Sequence, residues 1–486
     1  MSVAKSNSTA KGVAWAAVDK FGIVLLQFVI NLVLARLLVP EDFGLVGMIL
    51  IIVAVSGILA DGGFGSALIQ KLNPKEEDFS TAFSVNITTA LLLYAIIYLF
   101  APSIAEFLEA PILKDFLRVL GLVIVINAMG LVSKVLLRRA LAFKQIAISN
   151  LCAYVLAATV AIVMSIRGYG AWSLIAIHIV NAVFANLFIC LSARWIPRVK
   201  PSFSSLKQMF AYGEFMLASD ILDNICFNIQ NTIVGKYFSP YAAGQYAQAK
   251  KMSEVAYITL PSAINQVLFS VFSSLQCNIE ELREKLRLNM KMTAFIIFPV
   301  LTILIIIAKP LILLLFGDNW LDSALYFQVL CVGGFFAALQ YFNYSAVASI
   351  GKSRVLFLTS IYKTIFLIAS LVIGAKISMS GVLVAMVLSS ANMYFTNVLL
   401  ARKYIGYRFS QQMNDLLPTA LCTLISGVAI YLVYSLLGVN WVLCGVLFVL
   451  LYLFVSYIFK LDILKDVWVI AARLLPKRLQ GRVVRE

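Results

Sequence analysis

A polar motif set inside apolar sequence recurs 200 positions along this chain, and this repeat constrains the fold more than any other feature. The first copy reads Asn31-x4-Arg36-x3-Pro40-x3-Gly44 and the second reads Asn231-x4-Lys236-x3-Pro240-x3-Gly244. Pro and Gly punctuate loops in most proteins, so a chance match is the alternative. Agreement at four positions in one register favours duplication, and a repeat of this length in apolar segments is typical of a two-lobed transporter.

The composition places nearly the whole chain in a membrane. Of its 486 residues, 62% are hydrophobic and 13% are charged, and the mean hydropathy is +0.94. A soluble domain carries about 45–50% apolar and about 25% charged residues. Apolar runs of about 20 residues, the length that crosses a bilayer, follow one another along the sequence. We therefore expect an all-α polytopic membrane protein with no extramembrane catalytic domain.

Fourteen spans are predicted, in an arrangement of six, six and two. They cover approximately 14–36, 43–69, 79–101, 115–137, 143–166, 171–193, 211–235, 244–275, 288–308, 323–349, 355–375, 379–401, 415–437 and 441–459. The expected organisation is a six-helix lobe in 1–200, a second in 201–410, two extra spans in 411–460 and a basic tail in 461–486.

The repeat also predicts how the two lobes are related. Six spans separate equivalent points, and six is even, so both lobes have the same membrane orientation. Such lobes are related by a pseudo-twofold axis along the membrane normal, with a cavity between them, and rocking of one lobe against the other gives alternating access.

Charge sets the predicted orientation. With both termini in the cytoplasm, most of the 39 Lys and Arg residues fall on the cytoplasmic side, as the positive-inside rule requires. The net charge of +16 then mostly reflects the excess of Lys and Arg in cytoplasmic loops. No nucleic-acid partner is expected. The tail, 461–486, is either an amphipathic helix on anionic inner-leaflet lipids or, in its last ten residues, a solvated segment.

Polar residues cluster inside several predicted spans. Lys20, Gln27 and Asn31 form one helical stripe, and Asp220, Asn224 and Asn231 form another. A charged side chain in hydrocarbon costs at least about 2.5–3.5 kcal/mol, so it faces either a partner or a cavity. One reading is interhelical contact, such as Lys250 or Lys251 with Glu254. The other, favoured by the polar length of span seven, is an aqueous cavity for a polar or anionic cargo.

Motifs for catalysis and for cofactors are missing from the sequence. It contains no P-loop lysine motif and no HExxH, and its single histidine cannot build a histidine-rich metal site. The seven cysteines are scattered without a CxxC pair, which favours packing over metal binding or disulfides. We expect no enzyme activity, no cofactor and no metal site.

Four segments resemble the multidrug/oligosaccharidyl-lipid/polysaccharide exporter superfamily, and within it the bacterial polysaccharide-exporter flippases. They are LARLLVPEDFGLVGM at 34–48, DGGFGSALIQK at 61–71, NTIVGKYFSPYAAGQYAQAKKM at 231–252 and LPSAINQVLF at 260–269. The resemblance implies that an undecaprenyl-diphosphate-linked oligosaccharide is flipped across the bacterial inner membrane, driven by an ion gradient or the membrane potential. It also implies a lipid environment and, as candidate partners, polysaccharide polymerase or export machinery.

The resemblance suggests roles for the polar residues. A diphosphate needs Lys or Arg at low dielectric, and sugar hydroxyls suit Asn and Gln. The candidate substrate-binding residues are Lys20, Gln27, Asn31, Asn224, Asn231, Lys250 and Lys251, with Arg138 and Arg139 at the cytoplasmic mouth. The candidates for a coupling proton or cation are Asp19, Asp61, Glu214, Asp220, Asp223 and Glu254.

Three other functions stay open at this point. A cation-coupled multidrug exporter would use an acid such as Asp19 or Asp61. A lipid II flippase would differ only in cargo. An integral membrane enzyme usually has a long external loop that bears its catalytic residues, and this chain has none of that length.

Overall fold

A computed structural model describes residues 2–461, 463 and 464 of the chain. Within its helices, side chains are described except those of 2–14, 16–18, 20, 208, 210–216, 260, 263, 266, 267, 270 and 353. The side chains of Lys20 and Glu214, and nearly all of the predicted tail, therefore lie outside the described residues.

The described chain is helical and falls into two compact units, Met1–Ala247 and Gln248–Glu486. The all-α prediction is confirmed. The lobe boundaries predicted at residues 200 and 410 stay predictions.

The first unit contains nine helices and the start of a tenth. They are α1 (Ser2–Leu37), α2 (Pro40–Asp61), α3 (Phe64–Gln70), α4 (Glu76–Phe107), α5 (Leu113–Leu120), α6 (Leu122–Arg139), α7 (Phe143–Ile166), α8 (Ala171–Ala193), α9 (Phe203–Tyr237) and α10 (Pro240–Glu254). Helix α7 packs between α1 and α8, and α9 packs along α2.

The second unit continues from the last turns of α10. A π-helical turn at Val255–Thr259 is followed by α11 (Leu260–Ser274), α12 (Ile279–Ile306), α13 (Ala308–Phe316), a 3₁₀ turn (Asp318–Trp320), α14 (Ser323–Ser349), α15 (Ser353–Ile377), α16 (Met379–Ile405), α17 (Phe409–Leu437) and α18 (Trp441–Ile458). Helix α14 packs against α12 and α16, and α17 joins α12 to α18.

Within the described residues, eleven helical segments have the length and apolarity needed to cross a bilayer, and Phe21–Leu37 is a shorter apolar helix. The eleven coincide with eleven of the fourteen predicted spans. Phe21–Leu37 covers most of the first predicted span, and helices also run through the remaining two, at 211–235 and 244–275. The multi-spanning prediction is confirmed.

Small residues decide how closely the helices of the first unit pack. Ala153, Ala157 and Ala161 on α7 follow an i, i+4, i+8 stripe and are fully buried. In a membrane, where lipid tails are as apolar as leucine, close packing of such small residues holds helices together. Val155 and Val163 of the same helix are exposed, as expected for side chains that face lipid.

The helix that follows each copy of the repeat motif is interrupted. Helix α2 ends at Asp61 because Gly62 and Gly63 both adopt left-handed backbone angles, with φ of 56° and 75°. In the second copy, the π-helical turn Val255–Thr259 precedes Pro261. Each break interrupts what the sequence predicted as one span, at 43–69 and at 244–275.

Candidate substrate and coupling-ion site

Charged side chains from four helices of the first unit interact with one another, and we call this group the N-terminal charge cluster. It consists of Asp19 on α1, Asp61 on α2, Lys134 and Arg138 on α6, and Asp220 on α9. The charges of Asp220 and Lys134 act on the Asp61 carboxyl, and those of Asp19, Asp61 and Arg138 act on the Lys134 ammonium. The fold thus brings three predicted coupling-ion residues to one predicted substrate-binding residue.

Asp61 has the most unusual environment in this cluster. It is the last residue of α2, where the partial negative charge of a helix C-terminus disfavours a carboxylate. Its Oδ1 atom is buried and accepts no hydrogen bond from the described residues, although the backbone amides of Gly63 and Gly65 lie close to the carboxyl group and stabilise its charge. The positive charge of Lys134 offsets part of this cost. A carboxyl oxygen left in this state is a suitable acceptor for a proton or a small cation.

Asp19 is fixed by a neighbouring helix. Asn150 of α7 donates a hydrogen bond of 3.0 Å to Asp19 Oδ1. Further along α1, Gln27 is half-buried and Asn31 is buried. The side chain of Lys20, the third residue of the predicted stripe, lies outside the described residues, and the substrate-binding role of the stripe stays a prediction.

The polar stripe on α9 divides into exposed and buried parts. Asp220 and Asp223 are exposed, and Asn224 is half-buried and accepts a hydrogen bond of 3.1 Å from Asn228. Asn231 lies against Gly47 of α2, and its Oδ1 is buried without a hydrogen-bond partner among the described residues. The charges thus lie in the half of the stripe near Asp220, which the predicted orientation places toward the cytoplasm. The half near Asn231 packs against α2.

Arg138 and Arg139 are adjacent in sequence and have different environments. Arg139 donates hydrogen bonds to the backbone carbonyls of Leu68 (2.7 Å), Ile69 (3.0 Å) and Lys71 (2.7 Å), and so caps the end of α3. Arg138 is exposed, one helical turn beyond Lys134. Successive residues of an α-helix point about 100° apart, so only Arg138 shares the face of Lys134.

In the second unit, the Lys250–Glu254 pairing expected from the sequence is present. The Lys250 ammonium lies 3.7 Å from the Glu254 carboxylate, and Lys250 is buried. Lys251 is exposed. Glu254 is followed directly by the π-helical turn, a geometry that often marks functional sites because it interrupts regular helical hydrogen bonding. The pair and Lys251 together carry one net positive charge.

Sequence reasoning missed Lys134 as a site residue because it counted this lysine among the cytoplasmic loop charges. The signal that identifies it is its i, i+4 spacing from Arg138 within an apolar helix. The sequence also did not predict the cluster of Arg287, Lys291, Tyr407 and Asp415 in the second unit. Arg287 and Tyr407 each lie within 2.8 Å of Asp415, and Lys291 lies 3.0 Å from it.

Comparison with known proteins gives a consistent picture. Residues 33–325 match the family described as polysaccharide biosynthesis protein. The succinoglycan biosynthesis transport protein ExoT of Rhizobium meliloti is 28% identical over 65% of this chain and 64% of its own, so the match spans a little under two thirds of that relative. The lipopolysaccharide biosynthesis protein WzxC of Escherichia coli is 23% identical over 87% of this chain and 88% of its own.

Solved structures share the fold. The lipid II flippase MurJ in its inward closed conformation superposes with a TM-score of 0.74 at 17% identity, over 92% of this chain and 99% of its own. An inward-facing multidrug resistance MATE family transporter of the MOP superfamily gives a TM-score of 0.63 at 17% identity, over 80% and 98%.

Eleven described helices with the length and apolarity to cross a bilayer define a multi-pass membrane protein. The family match extends over more than half of the chain. The chain belongs to the polysaccharide biosynthesis protein family.

Proposed function

We propose that the protein flips an undecaprenyl-diphosphate-linked oligosaccharide from the cytoplasmic to the outer leaflet of the bacterial inner membrane by alternating access. Both termini lie in the cytoplasm. The observation that carries the proposal is the N-terminal charge cluster, in which the opposite charges of Lys134 and Asp61 are close enough to attract each other on helices with the length and apolarity to cross a bilayer. The printed names of the relatives, for succinoglycan and lipopolysaccharide, support a surface-polysaccharide cargo.

The chemistry of the charged groups suits such a cargo. A diphosphate is recognised by charge-assisted hydrogen bonds from lysine and arginine, which Lys134, Arg138, Lys250 and Lys251 supply. The amides of Gln27 and Asn224 match sugar hydroxyls, whereas Asn231 packs against Gly47 of α2. Asp61, with its unsatisfied oxygen, binds the coupling proton or cation, and Asp19 and Asp220 adjust the local charge.

The proposed activity is transport alone, without chemistry on the cargo. The flipped oligosaccharide passes to polymerase or export machinery on the outer side. Purified protein is therefore expected to leave the lipid-linked oligosaccharide chemically unchanged, and mass spectrometry of the lipid after incubation checks this.

The test is deletion of the gene in its host bacterium with analysis of lipid-linked oligosaccharides. The deletion strain accumulates the precursor on the cytoplasmic side and loses surface polysaccharide. The wild-type gene and Lys376→Ala restore both, since Lys376 is exposed at the end of α15. Lys134→Ala restores neither at matched protein level, and Lys134→Arg restores part. Normal polysaccharide in the deletion strain contradicts the proposal.

Two alternatives have observations in their favour and distinct outcomes in the same strains. The first alternative is lipid II flipping, which the fold shared with a lipid II flippase favours. Rescue of a strain depleted of its own lipid II flippase would identify that activity. The buried oxygen of Asp61 also suits a cation-coupled multidrug exporter. Increased resistance to cationic dyes on expression, lost in Asp61→Asn, identifies that activity.

A further inference from the structure

The two copies of the repeated motif contact each other through their equivalent residues. In the first unit, a methyl group built on Gly44 would overlap the backbone of Pro240, at 2.6 Å from its carbonyl carbon and 2.9 Å from the nitrogen of Gly244. A methyl group on Gly244 would lie 2.6 Å from the carbonyl carbon of Pro40. The proline carbonyl of each copy thus packs directly against the Cα of the glycine in the other copy.

This reciprocity explains why glycine stands at both positions. The backbones of α2 and α10 approach so closely that no side chain fits between them. Proline begins each helix, where its missing N–H costs nothing, and its carbonyl points at the glycine of the other helix. Contacts of the Cα–H···O type are weak compared with conventional hydrogen bonds. The contact is therefore tightly packed and yet inexpensive to separate.

Three further contacts continue the same interface along α2 and α9. Thr232 donates a hydrogen bond of 2.8 Å to the carbonyl of Met48, Gly235 leaves room for the Met48 side chain, and Asn231 lies against Gly47. The interface thus runs from residues 40–48 of the first copy to residues 231–244 of the second. We call it the repeat interface.

We propose that the repeat interface is the gate that closes the outer side of the transport path, and that Gly44 and Gly244 set how tightly it closes. The inference rests on the proposed function and on the predicted orientation. With the N-terminus in the cytoplasm, Arg36 near the end of α1 lies on the outer side, and so does its repeat equivalent Lys236 near the end of α9. Small residues also hold helices together permanently. The reciprocal use of both repeat copies points instead to a contact that forms when the two repeats come together and breaks when they part.

The first test measures opening directly, without a transport assay. Ala243 is fully buried on α10 beside Gly244, and Ala243→Cys serves as a reporter for a membrane-impermeant maleimide added from outside. Gly44→Ala, which inserts a methyl group into the contact, raises the labelling rate at least several-fold. Gly57→Ala is the matched control, because it makes the same change on the same helix where nothing lies within 4 Å. Equal labelling in Gly44→Ala and Gly57→Ala overturns the proposal.

The second test locks the interface and does not depend on how Gly44→Ala folds. A Cβ atom on Gly47 would lie 3.8 Å from the Cβ of Asn231, the usual separation in a disulfide. In proteoliposomes, the oxidised Gly47→Cys/Asn231→Cys variant flips at least about tenfold more slowly than the same protein after reduction. Wild-type protein treated with the same oxidant is the control.

The outcomes separate the gate from the proposed function. Equal flipping by the oxidised and reduced double variant overturns the gate and leaves the flippase function intact. Absence of flipping by the wild-type protein contradicts the flippase function, while the labelling experiment still decides on the gate. If the double variant is inactive even when reduced, the Ala243→Cys labelling result decides on the gate.

Discussion

Arg287 of α12 donates two hydrogen bonds, of 2.8 and 2.9 Å, to the carboxylate of Asp415 on α17, 128 residues later in the chain. Lys291 and Tyr407 complete the surroundings of the same carboxylate. The Asp415 side chain is only 4% exposed, whereas those of Arg287 and Lys291 are exposed by about a third. This ionic contact joins α17 to α12, and its contribution to stability can be measured.

Asp415→Asn is expected to destabilise the protein, because it removes the counter-charge of two cations. Breaking a buried ion pair costs roughly 3–5 kcal/mol, and the partial exposure of Arg287 and Lys291 reduces this to about 2–3 kcal/mol. Thermal unfolding in detergent measures the loss. Arg283→Ala is the control, because its partner Glu280 is 77% exposed, unlike Asp415, and surface pairs contribute roughly 0–1 kcal/mol. Equal effects of the two changes would show that the Asp415 contact is not a structural one.

Arg139→Ala is expected to loosen the loop after α3, because carbonyls at the end of that helix lose their donor. Hydrogen bonds to a charged group contribute about 1.5–3 kcal/mol each. Limited trypsin digestion should therefore cleave at Lys71 or Lys75 faster in this variant than in the wild type.

Arg138→Ala provides the matched comparison, since Arg138 is exposed and shares the face of Lys134. This variant should keep the wild-type cleavage rate and lose transport. If instead trypsin cleaves Arg139→Ala at the wild-type rate and Arg138→Ala transports normally, the proposed division of roles between the two arginines is wrong.

Asp61→Asn is expected to uncouple transport from its driving gradient, because the amide removes the charge that attracts a proton or cation while keeping the shape. The measurement is flipping in proteoliposomes with and without an imposed proton or sodium gradient. Wild-type protein should respond to one of these gradients, and Asp61→Asn should flip at one rate under both conditions. Asp115→Asn is the comparison, since it makes the same change at an exposed carboxylate on α5. A full gradient response in Asp61→Asn would move the coupling site elsewhere.

Glu109→Gln is expected to have a small, pH-dependent effect on stability. Glu109 pairs with Lys236 at 2.6 Å, and this hydrogen bond holds the pKa of the Glu109 carboxyl below its usual value of 4.5. A lowered pKa in the folded state means that the pair contributes above the usual pKa and that the contribution disappears as the pH falls through the lowered value.

The measurement is thermal unfolding of wild type and Glu109→Gln at a series of pH values. The difference between them should be present at pH 7 and should vanish in acid, and added salt should reduce it because both groups are near solvent. A difference that grows in acid would have the wrong sign for this pair.

The sequence by itself determined the class of fold. A bilayer accepts only backbone whose hydrogen bonds are satisfied internally, so long apolar segments such as 441–459 had to be helices. Features that are local in sequence, or set by the fixed register of the repeat, were predictable for the same reason. They include the repeat at Asn31 and Asn231, the breaks near Gly62 and Pro261, and the Lys250–Glu254 pair.

Only the tertiary structure decided which long side chains meet. Arg138 and Arg139 are the same residue type side by side, and their separate environments depend on where the end of α3 lies. Packing of helices distant in the chain brings the charge of Asp61 near Lys134 and lets Arg287 donate hydrogen bonds to Asp415. Hydropathy and periodicity describe one helix at a time. The choice of partner for a charge depends on which helices pack together and how close their backbones come, as the two glycines of the repeat interface show.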